Sequence, residues 1–186
     1  MTTPNALSIA KRFILKTTKI INGTYSAQMR CLYNPDIKYG SYVDIPLPNQ
    51  DLIPDDDPKY EEYIVEDFED IKIGGKWYQD VKLYHNMIEL SFSYLPVFYK
   101  TLSISDLLTF ILDGSEWTAG ECDIDEVILL YSYEMITRLE ALNLLAKKCN
   151  GELDYHSKLR VVDLKNQIGS VTRLPIRYDK NLTSLR

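Results

Sequence analysis

Histidine is the side chain that most readily moves protons near neutral pH, and the chain has two, His85 and His156. His85 ends an alternating, strand-like run, and His156 opens a short turn between two such runs. Neither has a second His or a Cys at metal-ligand spacing, so both read as surface or partly packed residues. The acid run Asp55-Asp56-Asp57 offers oxygens to a hard cation, but no glycine-containing calcium loop surrounds it, and it reads as a solvated loop. Gly74-Gly75 lacks the Lys-Ser/Thr pair of a phosphate loop and reads as a hairpin turn. Glu152 and Asp154 share one strand face, whereas glycoside cleavage needs carboxylates opposed across a cleft. Cys149 falls on an apolar helix face and reads as a small core residue. Trp77 and Trp117 read as core or domain-junction residues, with ligand stacking as the alternative. The sequence therefore predicts no catalytic, cofactor-binding or metal-ligating residue, and no cofactor.

The element that organises these residues is a helix and the hairpin after it, Thr137 to Leu164. Thr137 and Glu140 stand at the T-x-x-E spacing of a capping box. Leu139, Leu142, Leu145, Ala146 and Cys149 then recur at helical spacing. Lys147 and Lys148 suit the negative end of the helix dipole, and Asn150-Gly151 stops the helix, with Gly151 free to turn left-handed. Glu152–Tyr155 and Leu159–Leu164 are expected strands about the turn His156-Ser157-Lys158.

Before this element the sequence reads as hairpins. Phe13–Lys19 and Thr24–Tyr33 flank Asn22-Gly23, and Asn34-Pro35-Asp36 makes a turn. Ser41–Ile45 is a strand stopped by Pro46, and Asn49–Lys59 is a loop. Tyr63–Phe68 and Ile71–Ile73 lead to Gly74-Gly75, and Trp77–Tyr84 leaves it. From Leu102 the period changes: Ser103 or Ser105 can cap a helix through Ile104, Leu107, Leu108, Ile111 and Leu112, ended by Asp113-Gly114. Glu116–Asp125 is an expected loop, Val127–Tyr133 a strand, Lys165–Val171 a polar loop and Leu174–Tyr178 a last strand.

With 186 residues, 45% hydrophobic and 26% charged, the composition is that of a globular chain with a real core. A net charge of −6 argues against a nucleic-acid partner. No apolar run is long enough for a membrane span, and Met1–Ile21 lacks the pattern of a signal peptide. Cys31, Cys122 and Cys149 are scattered and odd in number, which points to reduced thiols and not to a disulfide framework. The 14 tyrosines suit strands and protein interfaces alike.

Three segments, in this order, carry a resemblance. They are Leu-Ser-Ile-Ser-Asp-Leu-Leu at Leu102–Leu108 with Ile111–Thr118, Thr-Arg-Leu-Glu-Ala-Leu at Thr137–Leu142 running on to Asn150–Leu153, and Ile-Arg-Tyr-Asp-Lys-Asn-Leu at Ile176–Leu182. The chain from about Tyr84 to Arg186 resembles the N-terminal part of the prophage tail endopeptidase family, also called tail-associated lysins, which are tail-tip or baseplate hub proteins. That resemblance implies an α+β fold: a hairpin-rich, partial barrel-like β unit over 1–100, a helix–hairpin unit over 101–164, and a return strand within 165–186. It implies a structural virion protein at the tail tip, made in the bacterial host cytoplasm, that closes the tail tube. The implied partners are other copies of itself in a trimer, a distal tail protein and a tape-measure protein. The family's peptidase activity sits in a separate C-terminal region, so this chain is expected not to be an enzyme. Two alternatives are carried: a lysin component whose catalytic region lies outside the chain, and a host-surface binding module.

Overall fold

The computed structural model of the chain describes residues 7–8, 13–18, 22–23, 25–46 and 60–166. The acid run Asp55–Asp57 with its loop, and the expected strand Leu174–Tyr178, lie outside them. The architecture is α+β, as expected. Its first part is an open, curled half-barrel of six strands: β1 (Leu7–Ser8), β2 (Phe13–Thr18), β3 (Ser26–Leu32), β4 (Tyr42–Pro46), β5 (Tyr60–Ile73) and β6 (Lys76–His85). They lie in the order β1-β4-β5-β6-β3-β2. The β2–β3 hairpin turns at Asn22, φ 51°, and the β5–β6 hairpin at Gly74 and Gly75, φ 57° and 80°. Two successive positive φ values are what glycine permits without strain.

Alternation along β3, β4 and β6 places Ala27, Met29, Cys31, Val43, Ile45, Val81 and Leu83 in one apolar cluster with Tyr63 and Val65 of β5. Strand β5 corrects the sequence reading, which broke it into two runs. It is one strand of 14 residues with a register shift between Val65 and Asp67. The extra residue, Glu66, is a bulge that inverts which side chains face inward, so the period breaks while the ladder continues.

The second part begins with a 3-10 turn, Asn86–Ser91, and contains β7 (Tyr94–Leu95), β8 (Phe98–Ser103), α1 (Ile104–Leu112), β9 (Thr118–Cys122), β10 (Val127–Ser132), β11 (Ile136–Thr137), α2 (Arg138–Cys149), β12 (Glu152–His156) and β13 (Val161–Lys165). Ser103 caps α1 by accepting from the Asp106 amide at 3.1 Å. The Thr137–Glu140 capping box on α2 forms in full. Ile104, Leu107, Leu108, Ile111, Ala141, Leu142, Leu145, Ala146, Leu153 and Val162 share a second apolar cluster with Met87, Leu90 and Trp117.

Four local expectations are corrected. Asn150, not Gly151, takes the left-handed turn at φ 54°. Gly151 is required for packing, since a Cβ there would lie 2.9 Å from methyls of Ile124 and Leu164. The β12–β13 turn runs over residues 157–160, and the second strand starts at Val161. The expected loop after Glu116 instead contains β9, laid parallel beside β13. Thr-Ala-Gly-Glu-Cys has no apolar alternation, so β9 exists through pairing and not propensity, with the Thr118 amide donating to Arg160 at 2.8 Å.

Candidate functional site: a charged junction and an outward aromatic ribbon

His85 is fully buried, which corrects its reading as a surface or partly packed residue. It is the last residue of β6, where the inward row of the strand runs into the second part. Its Nδ1 accepts from the Met87 amide at 3.2 Å and so caps the 3-10 turn. The rings of Tyr25, Tyr63 and Tyr155 stand edge-on around it at 5.4, 5.4 and 6.4 Å. Burial, aided by neighbouring carboxylates, pushes the Tyr25 hydroxyl up to about 12. Burial raises Tyr63 and Tyr155 further. This aromatic cage joins β5, β6 and Tyr25, just before β3, to β12.

His156 is at the other end of the hairpin face. Its Nε2 lies 3.0 Å from Asp163 Oδ2 and 4.0 Å from Asp154 Oδ2. Lys165 Nζ approaches the same two carboxylates at 3.1 and 3.9 Å. The other oxygen of Asp163 accepts from the Glu121 amide at 2.8 Å. Burial pushes the Asp163 carboxyl up, but the bonds from His156, Glu121 and Lys165 outweigh it and hold it below its ordinary range. The hydroxyl of buried Ser157 accepts from the Glu62 amide at 2.8 Å, so it is committed to structure. Among the described residues, no group of three or more His, Cys, Asp and Glu is arranged to hold a metal. Glu152 and Asp154 share one half-exposed strand face, as read from sequence, and His156, expected in the turn, is the last residue of the same strand. Cys31, Cys122 and Cys149 are free thiols, and Cys149 packs against the second cluster.

The β12–β13 turn then drives two cations against the sheet. Lys158 pairs with Asp44, and with Glu62 at 3.3 Å. Arg160 reaches Glu62 at 3.3 Å and Glu89 at 3.1 Å. Glu62 also accepts from Asn86 at 3.0 Å. Glu89 accepts from the Tyr42 hydroxyl at 2.8 Å and from the Trp117 indole at 3.3 Å. The Arg160 side chain is only 15% exposed, so these charges are shielded from water far more than a surface pair. Trp117 is thus a core residue at the junction, as expected. Trp77 is not: at 52% exposed, it stands on the far end of the β5–β6 hairpin.

A second feature faces outward. β8 and β10 pair over six residues, with Tyr131 opposite Tyr99, and among the described residues they pair only with each other. In their inward row Phe98 and Leu130 are buried, Leu102 and Ile128 are half-buried, and Lys100 is exposed. The outward row is largely aromatic and aliphatic, with Thr101 and Ser103 at its α1 end: Tyr99 stacks on Tyr131 at 6.0 Å, and Tyr131 meets Tyr133 at 5.1 Å. Tyr99 and Tyr133 are 66% and 78% exposed, and Val97 and Met135 continue the two arms, also exposed. Lys148, from the last turn of α2, donates to the Leu129 carbonyl at 2.7 Å and covers the Tyr131 ring at 5.0 Å.

No family model and no curated protein matches the sequence. Solved structures do match. Prophage tail protein gp18 from Listeria monocytogenes EGD-e superposes with a TM-score of 0.66 at 14% identity, over 92% of this chain and 49% of that one. The tail protein from Neisseria meningitidis MC58 gives 0.59 at 11% identity, over 82% and 44%. The chain has the fold of these tail proteins. It spans about half the length of each.

Set on that fold, the junction and the ribbon were both invisible to sequence motifs. Glu62, Glu89, Lys158 and Arg160 come from three distant stretches, and no local spacing links them. The ribbon had one signal: Tyr131, Tyr133 and Met135 alternate beyond the residues needed for a single buried face.

Proposed function

We propose that the chain is a structural component of a phage tail, in the tail-tip or baseplate hub region that closes the tube and connects it to the host-recognition or wall-penetration apparatus. The observation that carries this reading is the likeness in fold to a prophage tail protein over 92% of the chain. The charged groups support it: His156, Asp163, Lys158 and Arg160 are spent on holding strands together, and among the described residues no nucleophile is poised beside a base. The sequence resemblance to tail-associated lysins supports the hub position, with wall-degrading activity supplied outside this chain. The proposal includes copies of the chain in a trimer at the virion tail tip, contacting a distal tail protein and a tape-measure protein. It also includes two units, 1–100 and 101–164, with 165–186 returning to the first. Light scattering of the protein with and without the neighbouring tail protein tests it. A defined complex with three copies of this chain is expected; a chain that stays alone and releases peptidoglycan fragments would overturn it.

A further inference from the structure

We infer that His85 is a pH-sensitive lock at the crossing between the two parts: its neutral ring holds the junction closed, and acid releases it. His85 is the last residue of β6, and the chain enters the second part at the next residue. Its Nδ1 accepts from the Met87 amide at 3.2 Å. That nitrogen therefore presents a lone pair, and the proton of the neutral ring sits on Nε2. A second proton can bind only at Nδ1. It would set a donor against the Met87 N–H, and the cap of the 3-10 turn Asn86–Ser91 would break.

The turn that this cap starts is wired into the junction. Asn86 donates to Glu62 at 3.0 Å and to the Ser157 carbonyl at 3.2 Å. Glu89 accepts from Tyr42, Trp117 and Arg160. Met87 and Leu90 are buried in the second apolar cluster. Undoing the turn from its first residue thus reaches both the ion pairs and the core beneath them.

The surroundings do not accommodate a charged ring in place. His85 is fully buried, and the tyrosine rings around it come from β5, from β12 and from Tyr25 before β3. Burial disfavours the charged form. The charged groups on these elements are engaged elsewhere. On β5, Glu61 accepts from the Tyr63 hydroxyl at 3.0 Å, and Glu62 faces Lys158 and Arg160. Glu89 also faces Arg160. On β12, Asp154 faces His156 and Lys165, and Glu152, Asp154 and Glu61 all act on the Tyr25 hydroxyl. Their pull on a proton cannot be met at Nδ1 without displacing the Met87 amide. The opened chain takes the proton at the ordinary imidazole value of about 6.5, so the stability that His85 lends the junction is whole above that value and is lost as pH falls below it.

Two measurements on the full chain test this. Nitrogen NMR of histidine-labelled protein reads the ring directly, since the chain has two histidines and His156→Gln assigns their signals. At about pH 5.5, a unit below the ordinary value, His85 in the closed protein should still show the neutral ring protonated at Nε2. Hydrogen exchange then reads the turn, in the unaltered protein and in His85→Gln at equal pH; the glutamine oxygen can accept from the Met87 amide but does not titrate. From about pH 7.5 to about pH 5.5, the protection of the Asn86–Ser91 amides in the unaltered protein should fall about tenfold relative to the variant. A His85 ring that becomes charged while these amides stay protected would overturn the inference. So would a protection ratio that does not change with pH. If His85→Gln does not fold, the ring signals and the exchange of the unaltered protein decide alone.

Discussion

Replacing Arg160 by methionine removes the cation that holds the β12–β13 turn against the sheet and the 3-10 turn while keeping most of its volume. Arg160 sits at φ 50°, and methionine bears the same backbone strain, so the change isolates the charge. Removing one partner of a buried ion pair costs about 3–5 kcal/mol, because the other charge is left uncompensated. Here the loss falls below that range. Glu62 keeps Lys158 and Asn86, and Glu89 keeps Tyr42 and Trp117. Glu116, 74% exposed, contributes nothing measurable. A loss of about 2–3 kcal/mol remains, which lowers the melting temperature of a chain this size by about 4–12 °C. Thermal unfolding followed by circular dichroism reads it directly. In a Glu89→Gln background the same change should cost less, since a neutral amide needs no counter-charge, and the difference measures the coupling. An unchanged melting temperature, or equal losses in both backgrounds, would refute the claim that the junction charges hold the two parts together.

Leu142→Ala or Leu145→Ala, both wholly buried on α2, should each cost about 2–5 kcal/mol in denaturant unfolding. Gly120→Ala places a methyl on the Asp163 carboxylate and on Val161, both in neighbouring β13, and should cost about 1–3 kcal/mol although the backbone there is unstrained. The Asp163 pKa is lowered on folding, so it stabilises the protein above its unfolded value of 3.8, and this contribution is lost as pH falls through the folded value. Asp163→Asn should flatten the acid limb of the stability profile. Burial raises Tyr25 and Tyr42 to about 12 from 10.0, so each contributes stability below pH 10 that is lost between these values, and Tyr25→Phe should shift the alkaline unfolding midpoint upward.

What could be read from the sequence was what local rules determine. The capping box of α2, the Ser103 cap, the Asn22-Gly23 and Gly74-Gly75 hairpins and the apolar faces of both helices all form as their residues dictate. The helix face itself is centred slightly away from the expected one. Ala141 and Arg138 are buried while Leu139 and Cys149 are partly exposed, because Arg138 turns inward to donate to the Ile111 carbonyl at the end of α1, at 2.5 Å. Beyond the left-handed residue at the end of α2 and the bounds of the β12–β13 turn, the misses are tertiary. β9 is made by its neighbour, β5 is continued across a bulge that inverts its period, and His85 is buried by rings from β5, β12 and the residue before β3. The junction was illegible for the same reason, since its charges meet only once the β12–β13 turn is folded onto the sheet.

The central claim, that this chain is part of a phage tail, is tested most directly by gold-labelled antibody against it on intact phage particles in the electron microscope. The account predicts label at the distal end of the tail, and nowhere along the tube or on the head. Particles that carry no label, with the protein left in the soluble fraction after they are sedimented, would contradict it.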